Sequence, residues 1–458
     1  MTMRSVRQLA VALLAAACAP AAPAMDLVDA WRAAASHDAE HAAARAAQAA
    51  GESRRTQASA LWRPVVALEA SAGIASQEQA TRGARFSAPG FGTSTGVDFD
   101  TSVERGPATR GALTLRQPLI DRDRDVQGTL LRNSADAADL EWIAAQQGLV
   151  LRTAERYFDA ALAAERLRLI ARQQSAVDRA LVEARDRYRI GDRPIVDSQD
   201  AAARSAALKA QRLGAETQLE LRRLALADLT GEPVGAAPLP LPRAMPAAEP
   251  YDGVQPWLDD AARASTTIRL AETRLRAAEQ EARRTSDALS PSVSLVAQYG
   301  RDRLSGSGDF GSASNTSMNS GIALQLSLPN YSGGLRQARQ VEAQRGIDQA
   351  AAELEHARRQ VLLSARSAWH ELAVGHSRIE ALEAASAAST TRLDATRTGR
   401  EVGDRTTLDL LNAENDAAAA ELSVLEARVS LLTSRLRLMA LAGRLDEERL
   451  LQINAALR

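Results

Sequence analysis

Four stretches of the chain alternate between apolar and polar or small side chains. After Pro291, Val293, Leu295, Ala297 and Tyr299 fall on one face of an extended segment, and Ser294, Val296, Gln298 and Gly300 on the other. Ile322, Leu324, Leu326 and Leu328 alternate with Ala323, Gln325 and Ser327 and end at Pro329. Val66, Leu68, Ala70, Ala72 and Ile74 repeat the pattern after Pro64, and Gly111, Leu113 and Leu115 repeat it before Gln117-Pro118. Period two is the mark of a strand with two unlike faces. It predicts strands at about 64–76, 108–118, 291–303 and 316–328. The stretches 77–107 and 304–315, rich in Gly, Ser, Thr and Asp, read as loops joining each strand pair.

The second pattern is helical. From about 123 to 189 there is no Pro, and Ile143, Val150, Tyr157 and Ala164 step by seven. Leu335 to Arg400 is again free of Pro. Leu408, Leu411, Asn415, Ala418, Leu422, Leu425, Val429, Leu432, Leu436 and Met439 alternate spacings of three and four, the seam of a coiled coil, with Asn415 as its polar exception. A helix of about 65 residues reaches roughly 100 Å at ~1.5 Å per residue. That is several times a hydrocarbon core of ~30 Å.

Both patterns occur twice. Gly191-Asp192-Arg193-Pro194-Ile195-Val196-Asp197 returns 212 residues later (191 to 403) as Gly403-Asp404-Arg405-Thr406-Thr407-Leu408-Asp409. At the same shift Leu229-Thr230-Gly231 meets Leu441-Ala442-Gly443, and Tyr157 meets Trp369. Such self-similarity predicts an internal duplication. The first repeat covers 25–231 and the second 257–443; each has a helical stretch, a strand pair and two long helices. Residues 232–256, with prolines from Pro233 to Pro256, form a connector that cannot continue a helix, and 444–458 remain as a C-terminal tail.

Composition narrows the choices. Fifty-six basic against 57 acidic groups give a net charge of −1, with no basic excess for nucleic acid. Lys209 is the only lysine; every other basic group is Arg. One Cys excludes a disulfide framework or a CxxC metal site. Aromatic residues make up 3%, so long Ala-rich helices, not a globe around an aromatic core, are expected. Arg4 and Arg7, the apolar run Leu9–Cys18 and Ala19-Pro20-Ala21-Ala22-Pro23-Ala24 read as a signal peptide over 1–24, cut after Ala24. The alternative cut would leave a lipidated Cys18, but the residue three before it is Ala15 where lipoprotein sites usually have Leu. No later stretch offers ~20 consecutive apolar residues for a membrane helix.

A soluble half-buried sheet shows the same alternation as a membrane strand. Four such strands in an exported chain, apolar on one face and small or polar on the other, favour membrane strands with a wet lumen. A four-stranded sheet leaves open edges that lipid does not tolerate, whereas three copies supply twelve strands and close a barrel. Phe86, Phe91 and Phe99 read equally as interface anchors or as loop packing.

Taken in order, these pieces resemble the TolC-like outer-membrane channel proteins. The resemblance rests on the start Asp26-Leu27 with Ala30 and Ala33, the strand-opening Pro64 and Pro291, the exits Gln117-Pro118 and Leu328-Pro329, the two Gly-Asp-Arg helix turns and the duplication. It implies an α+β membrane protein in the outer membrane. A homotrimer would form a 12-stranded barrel, continued by a periplasmic coiled-coil α-helical tunnel. It also implies a periplasmic adaptor and an inner-membrane ABC or RND transporter as partners, with an exported protein or small molecule as cargo. Without a good lipoprotein Cys, the chain is more similar to the type I secretion branch. Two other readings stay open: a lipidated drug-efflux channel acylated at Cys18, and a non-pore periplasmic coiled-coil adaptor. The sequence contains no defensible catalytic triad, phosphate loop or cofactor motif, so no enzyme activity is expected.

Two places carry candidate chemistry. His37-Asp38-Ala39-Glu40-His41 fits H-x-x-E-H, in which two His one turn apart hold Zn²⁺ beside a Glu base; its plain reading is polar residues on the first helix. The second is the turn at Gly403. Gly403 suits a left-handed helix exit, Asp404 suits a cap for the next helix, and Asp409 and Asn412 lie three apart on one face. The resemblance places Asp409 at an acidic constriction ring, and Asn412 where a second acidic ring would stand. It gives Arg405 a gate-closing role with Asp197 as acidic partner, and puts Arg400 where the gate usually has a tyrosine.

Overall fold

A computed structural model describes residues 25–192, 194–235, 237–242, 253–286, 291–309 and 311–457. The expected signal peptide with Cys18, Arg193 and part of the Pro-rich connector lie outside these residues. The elements run α1 (Leu27–His37), α2 (Ala39–Ala60), β1 (Val65–Ala88), β2 (Gly92–Asp121), α3 (Arg122–Arg189) and α4 (Ile195–Thr230). The second repeat follows with α5 (Gln255–Ala264), α6 (Thr266–Ser286), β3 (Ser292–Gly308), β4 (Gly311–Ser327), α7 (Leu335–Glu401) and α8 (Thr407–Leu441), and α9 (Glu447–Leu457) ends the chain. The repeat extends to its interruptions: α1 yields to α2 at Asp38 and α5 to α6 at Ser265, both with extended ψ near 120°. No helix among the described residues is long and apolar enough to cross a membrane.

The chain forms two compact units. One contains the sheet, with residues 51–135 and 274–350. Its four strands are antiparallel in the order β1-β2-β3-β4, so β1 and β4 are open edges. The register joins the apolar faces of all four strands: Leu68 opposes Leu113, Leu113 opposes Tyr299, Ala297 opposes Ile322 and Leu295 opposes Leu324. The other face is continuous too, with Thr114 opposite Gln298, Arg110 opposite Asp302 and Ser294 opposite Gln325. A one-residue slip in any pair would have mixed the faces. The apolar face is bare: Leu68 is 78% and Ile322 76% exposed.

The strands are longer than the alternation predicted. The stretches 77–107 and 304–315 do not read as loops; pairing runs on through Gln79–Thr101, Phe86–Ser94 and Leu304–Asn315 to a short turn at 89–91 and to the pair Gly308–Gly311. Ser, Thr and Gly signal a loop when water is the only partner, but here their backbone groups are satisfied across the ladder. Bulges after Ala75 and Thr81 bend β1, and Gly83 takes a left-handed φ of 65° while its N–H donates to Asp98 at 2.8 Å. Phe86 and Phe99 stand exposed on strands and Phe91 at the turn.

The helical unit holds residues 25–50, 136–273 and 351–457 of those described. In its core α8 is buried along two stripes where the sequence showed one. Leu411, on the predicted seam, packs with Val177 and Ala180 of α3 and Leu208 of α4. Ala427 and Leu431, off that seam, pack on Ile379 of α7. Gly375 makes room for this second stripe, since a Cβ there would lie 2.4 Å from Leu431 Cδ1. At the N-terminal end of the seam, Leu408 and Asn415 are exposed in the single chain.

The expected tail is instead the helix α9, with Leu450 and Ile453 buried. Its Asn454 accepts from Leu27 N–H at 3.2 Å and donates to Asp26 at 2.9 Å, locking the start of α1. Tyr157 is fully buried there and donates to Met25 carbonyl oxygen at 3.4 Å; burial pushes its phenol well above the ordinary range.

Candidate functional site: the helix turns at Gly191 and Gly403

His37 and His41 do not form a metal site. Asp38 breaks the helix between them, so they do not share one helical face. Asp38 accepts from His41 N–H at 3.1 Å and from Arg152 at 2.7 Å, Glu40 pairs with Arg152 at 2.9 Å, and the His41 ring stacks on Trp142 at 4.7 Å. No group of three or more metal-ligating side chains occurs among the described residues.

The two helix turns share one backbone design. Gly191 and Gly403 adopt left-handed φ of 80° and 85°. Asp192 N–H returns to Arg187 carbonyl oxygen at 2.9 Å, and Asp404 N–H to Gly399 carbonyl oxygen at 2.8 Å. Such i→i−5 bonds satisfy carbonyls left open at a helix end, and they need a residue tolerant of positive φ. Arg405 folds back over Gly399, where a Cβ would lie 2.8 Å from its Cγ.

The turns differ at the start of the next helix. Thr406, not Asp404, is the N-cap of α8. Its Oγ1 accepts from Asp409 N–H at 3.1 Å, while Asp409 Oδ2 accepts from Thr406 N–H at 2.9 Å and from Thr406 Oγ1 at 2.8 Å. This is a capping box, which satisfies two otherwise free donors reciprocally. The backbone bond from Thr406, then its hydroxyl, hold the Asp409 carboxyl below the usual carboxylate range. In α4 the N-cap is Pro194, which has no N–H to offer, and Asp197 occupies the position equivalent to Asp409. Asp197 is exposed and makes no ion pair or side-chain hydrogen bond among the described residues.

Glu183, Asp197, Asp200, Arg204, Arg400 and Arg405 line a cleft of about 420 Å³ beside this turn. Within one chain Arg405 approaches Asp404 at 3.8 Å and forms no bond to Asp197. The inter-helix tie is instead Arg400 of α7 with Glu183 of α3, both partly shielded. Asn412 accepts from Arg204 Nη2 at 2.5 Å, and Arg204 Nη1 is buried without a hydrogen-bond partner among the described residues. A guanidinium thus stands where the resemblance had only a neutral amide. Glu183, Arg204 and Thr406 were not singled out in the sequence. Thr406 was legible, since T-x-x-D is a capping signal; Glu183 and Arg204 depend on how α3, α4 and α7 lie side by side, which local spacing does not encode.

The profile of the outer membrane efflux protein family matches residues 31–232 and 257–444, one match per repeat. The chain belongs to this family. It is an outer-membrane protein. It is 28% identical to outer membrane protein TolC of Escherichia coli over 76% of this chain and 72% of that protein. It is 27% identical to the proteases secretion protein PrtF of Dickeya chrysanthemi over 95% of this chain and 91% of PrtF. Among solved structures, the outer membrane protein VceC of Vibrio cholerae superposes with a TM-score of 0.71 at 18% identity, covering 91% of this chain and 96% of VceC. The CmeC outer membrane channel of Campylobacter jejuni gives 0.72 at 14% identity, covering 94% and 89%. At those identities the likeness concerns the fold.

Proposed function

We propose that this chain is the outer-membrane exit duct of a tripartite exporter, a passive pore that carries out no covalent chemistry. The carrying observation is the sheet: one continuous apolar face, one continuous polar face, and two open edges. An open edge in hydrocarbon leaves backbone groups unpaired at several kcal/mol each, so the sheet requires further copies. Three copies supply twelve strands around a polar lumen, and the long helices extend the duct into the periplasm. Resemblance to PrtF over nearly the whole chain favours a secreted protein as cargo, with a periplasmic adaptor and an inner-membrane ABC transporter as partners. The reading as a lipidated efflux channel turns on Cys18.

In this reading the turns at Gly191 and Gly403 form the periplasmic gate. Asp409 supplies the acidic constriction, Asn412 with Arg204 a non-acidic level beside it, and Arg400–Glu183 a restraint between helices. Arg405 and the unpaired Asp197 are available to each other across neighbouring copies. The test is the full chain in planar bilayers. Discrete conductance steps, blocked by multivalent cations from the periplasmic side, are expected. A chain that recovers only as a monomer and never conducts would favour the non-pore scaffold.

A further inference from the structure

Along β3 the apolar face of the sheet reads Val293, Leu295, Ala297, Tyr299, Arg301, Arg303. The strand begins at Ser292 and runs toward its hairpin with β4. Three aliphatic positions, one aromatic and two cations therefore follow one another on a single face. This is the order of environments met when leaving a bilayer: hydrocarbon, interface, headgroup. At ~3.3 Å per residue and a tilt of ~40°, Arg301 and Arg303 stand roughly 20–25 Å above Val293, near the limit of the ~25 Å apolar band of a membrane barrel.

Both arginines are exposed, and neither forms an ion pair or side-chain hydrogen bond among the described residues. On the polar face, by contrast, Arg110 is ion-paired and Arg116 is hydrogen-bonded. Asp302, between them in sequence, lies on the opposite face and is taken up by Arg110 at 2.6 Å and Asn319 at 3.2 Å. It leaves the cations on the apolar side without a counter-ion. Thr109 and Thr316 oppose Arg303 on the two neighbouring strands and place hydroxyl donors on the same face, with no carboxylate paired opposite either arginine. Two guanidinium groups ~7 Å apart along a strand, flanked by hydroxyls, match phosphate oxygens by charge and by bidentate geometry.

We propose that Arg301 and Arg303 dock the phosphate-bearing headgroup of an outer-leaflet glycolipid, the phosphorylated disaccharide of lipopolysaccharide. Tyr299 and the aliphatic positions below it would lie along the acyl chains. The inference rests on the reading of this face as lipid-facing, and its test separates the two.

Native mass spectrometry of the full-length trimer in detergent would use bisphosphorylated lipid A, the dephosphorylated disaccharide lipid, and inorganic phosphate as probes. Wild type should retain bisphosphorylated lipid A, and R301Q/R303Q should bind it about ten-fold or more weakly, since two charge-assisted contacts are lost. Removing the phosphates from the lipid should weaken wild-type binding to a similar extent, and R116Q, on the lumen face, should bind like wild type. Equal retention by R301Q/R303Q, or of the dephosphorylated lipid by wild type, overturns the proposal. Displacement by millimolar inorganic phosphate also overturns it, in favour of a free-anion site. The lipid comparison on wild type decides even if the double variant fails to assemble. A wild-type trimer that conducts in bilayers but holds no phosphorylated lipid removes this inference and leaves the channel reading intact; failure to form a trimer or pore removes both.

Discussion

Leu324 and Gln325 are neighbours on β4 with opposite expected responses to charge. Leu324 opposes Leu295, lies between Ile322 and Leu326 on its own face, and is 69% exposed in the isolated chain. Gln325 faces the other way, where its Oε1 accepts from Arg116 at 2.7 Å. Arginine on the lipid side costs roughly 2–4 kcal/mol near the midplane of a membrane barrel. Three symmetric copies raise the penalty for Leu324→Arg to roughly 6–12 kcal/mol per trimer, if distant sites add. Gln325→Glu places a carboxylate beside an existing guanidinium in a wet lumen and should be neutral or mildly favourable. The assay is recovery of a heat-modifiable, SDS-resistant trimer from outer membranes at matched expression. Leu324→Arg should abolish or strongly deplete it, and Gln325→Glu should leave it at wild-type yield. Equal yields, or loss with Gln325→Glu alone, would show that the two faces have been assigned the wrong way round or that the sheet does not meet lipid.

Other outcomes follow from the turn. Asp409→Asn removes the charge while keeping an acceptor for Thr406, so it should abolish multivalent-cation block without loosening α8; unchanged block means Asp409 does not line the pore. Because the folded pKa of Asp409 is depressed, its charge and its cap are fully present above the unfolded carboxylate pKa and are lost only as pH falls below it. Block should therefore stay flat from about pH 8 to pH 5. Asn412→Asp should add little block until Arg204 is also removed, which bilayer recordings of the single and double variants can check. Arg400→Ala should raise open probability by up to about two decades, taking ~1 kcal/mol per restraint in three copies, and by more than Arg405→Ala; the reverse ranking would restore Arg405 as the main restraint. Gly375→Ala should cost ~1–3 kcal/mol through its clash with Leu431, seen as a lower unfolding temperature, and Leu431→Ala in the same chain should recover part of it.

Much of the fold was legible because it is written in periods. Period two located four strands and even their faces, since a face is a property of every second residue. The helices were equally plain, since a stretch without Pro and with Ala, Leu, Arg and Glu throughout has little else to become. The far ends of the hairpins were not legible, because Gln79, Thr81 and Ser94 suit a solvated loop as well as a polar ladder; only the partner strand decides. The second stripe of α8 was hidden for a similar reason. Ala427 and Leu431 are off the heptad seam and become core because Gly375 lets α7 approach.

At the two helix turns, duplication makes each copy the control for the other. Asp197 and Asp409 hold the same place in two copies of one motif, and both glycines adopt the same left-handed φ. The motifs differ at three positions, and the one at the N-cap, Pro194 against Thr406, decides how the carboxylate is held. Thr406 offers an N–H and a hydroxyl and draws the Asp409 carboxylate into a box, whereas Pro194 offers neither and leaves Asp197 exposed. The same side chain is thus partly committed to helix geometry at one turn and free for an outside partner at the other. A gate built from three copies would then carry two unlike sets of carboxylates: one fixed by its own helix, suited to a constriction of constant shape, and one with no internal partner, suited to contacts that are made and broken as the duct opens.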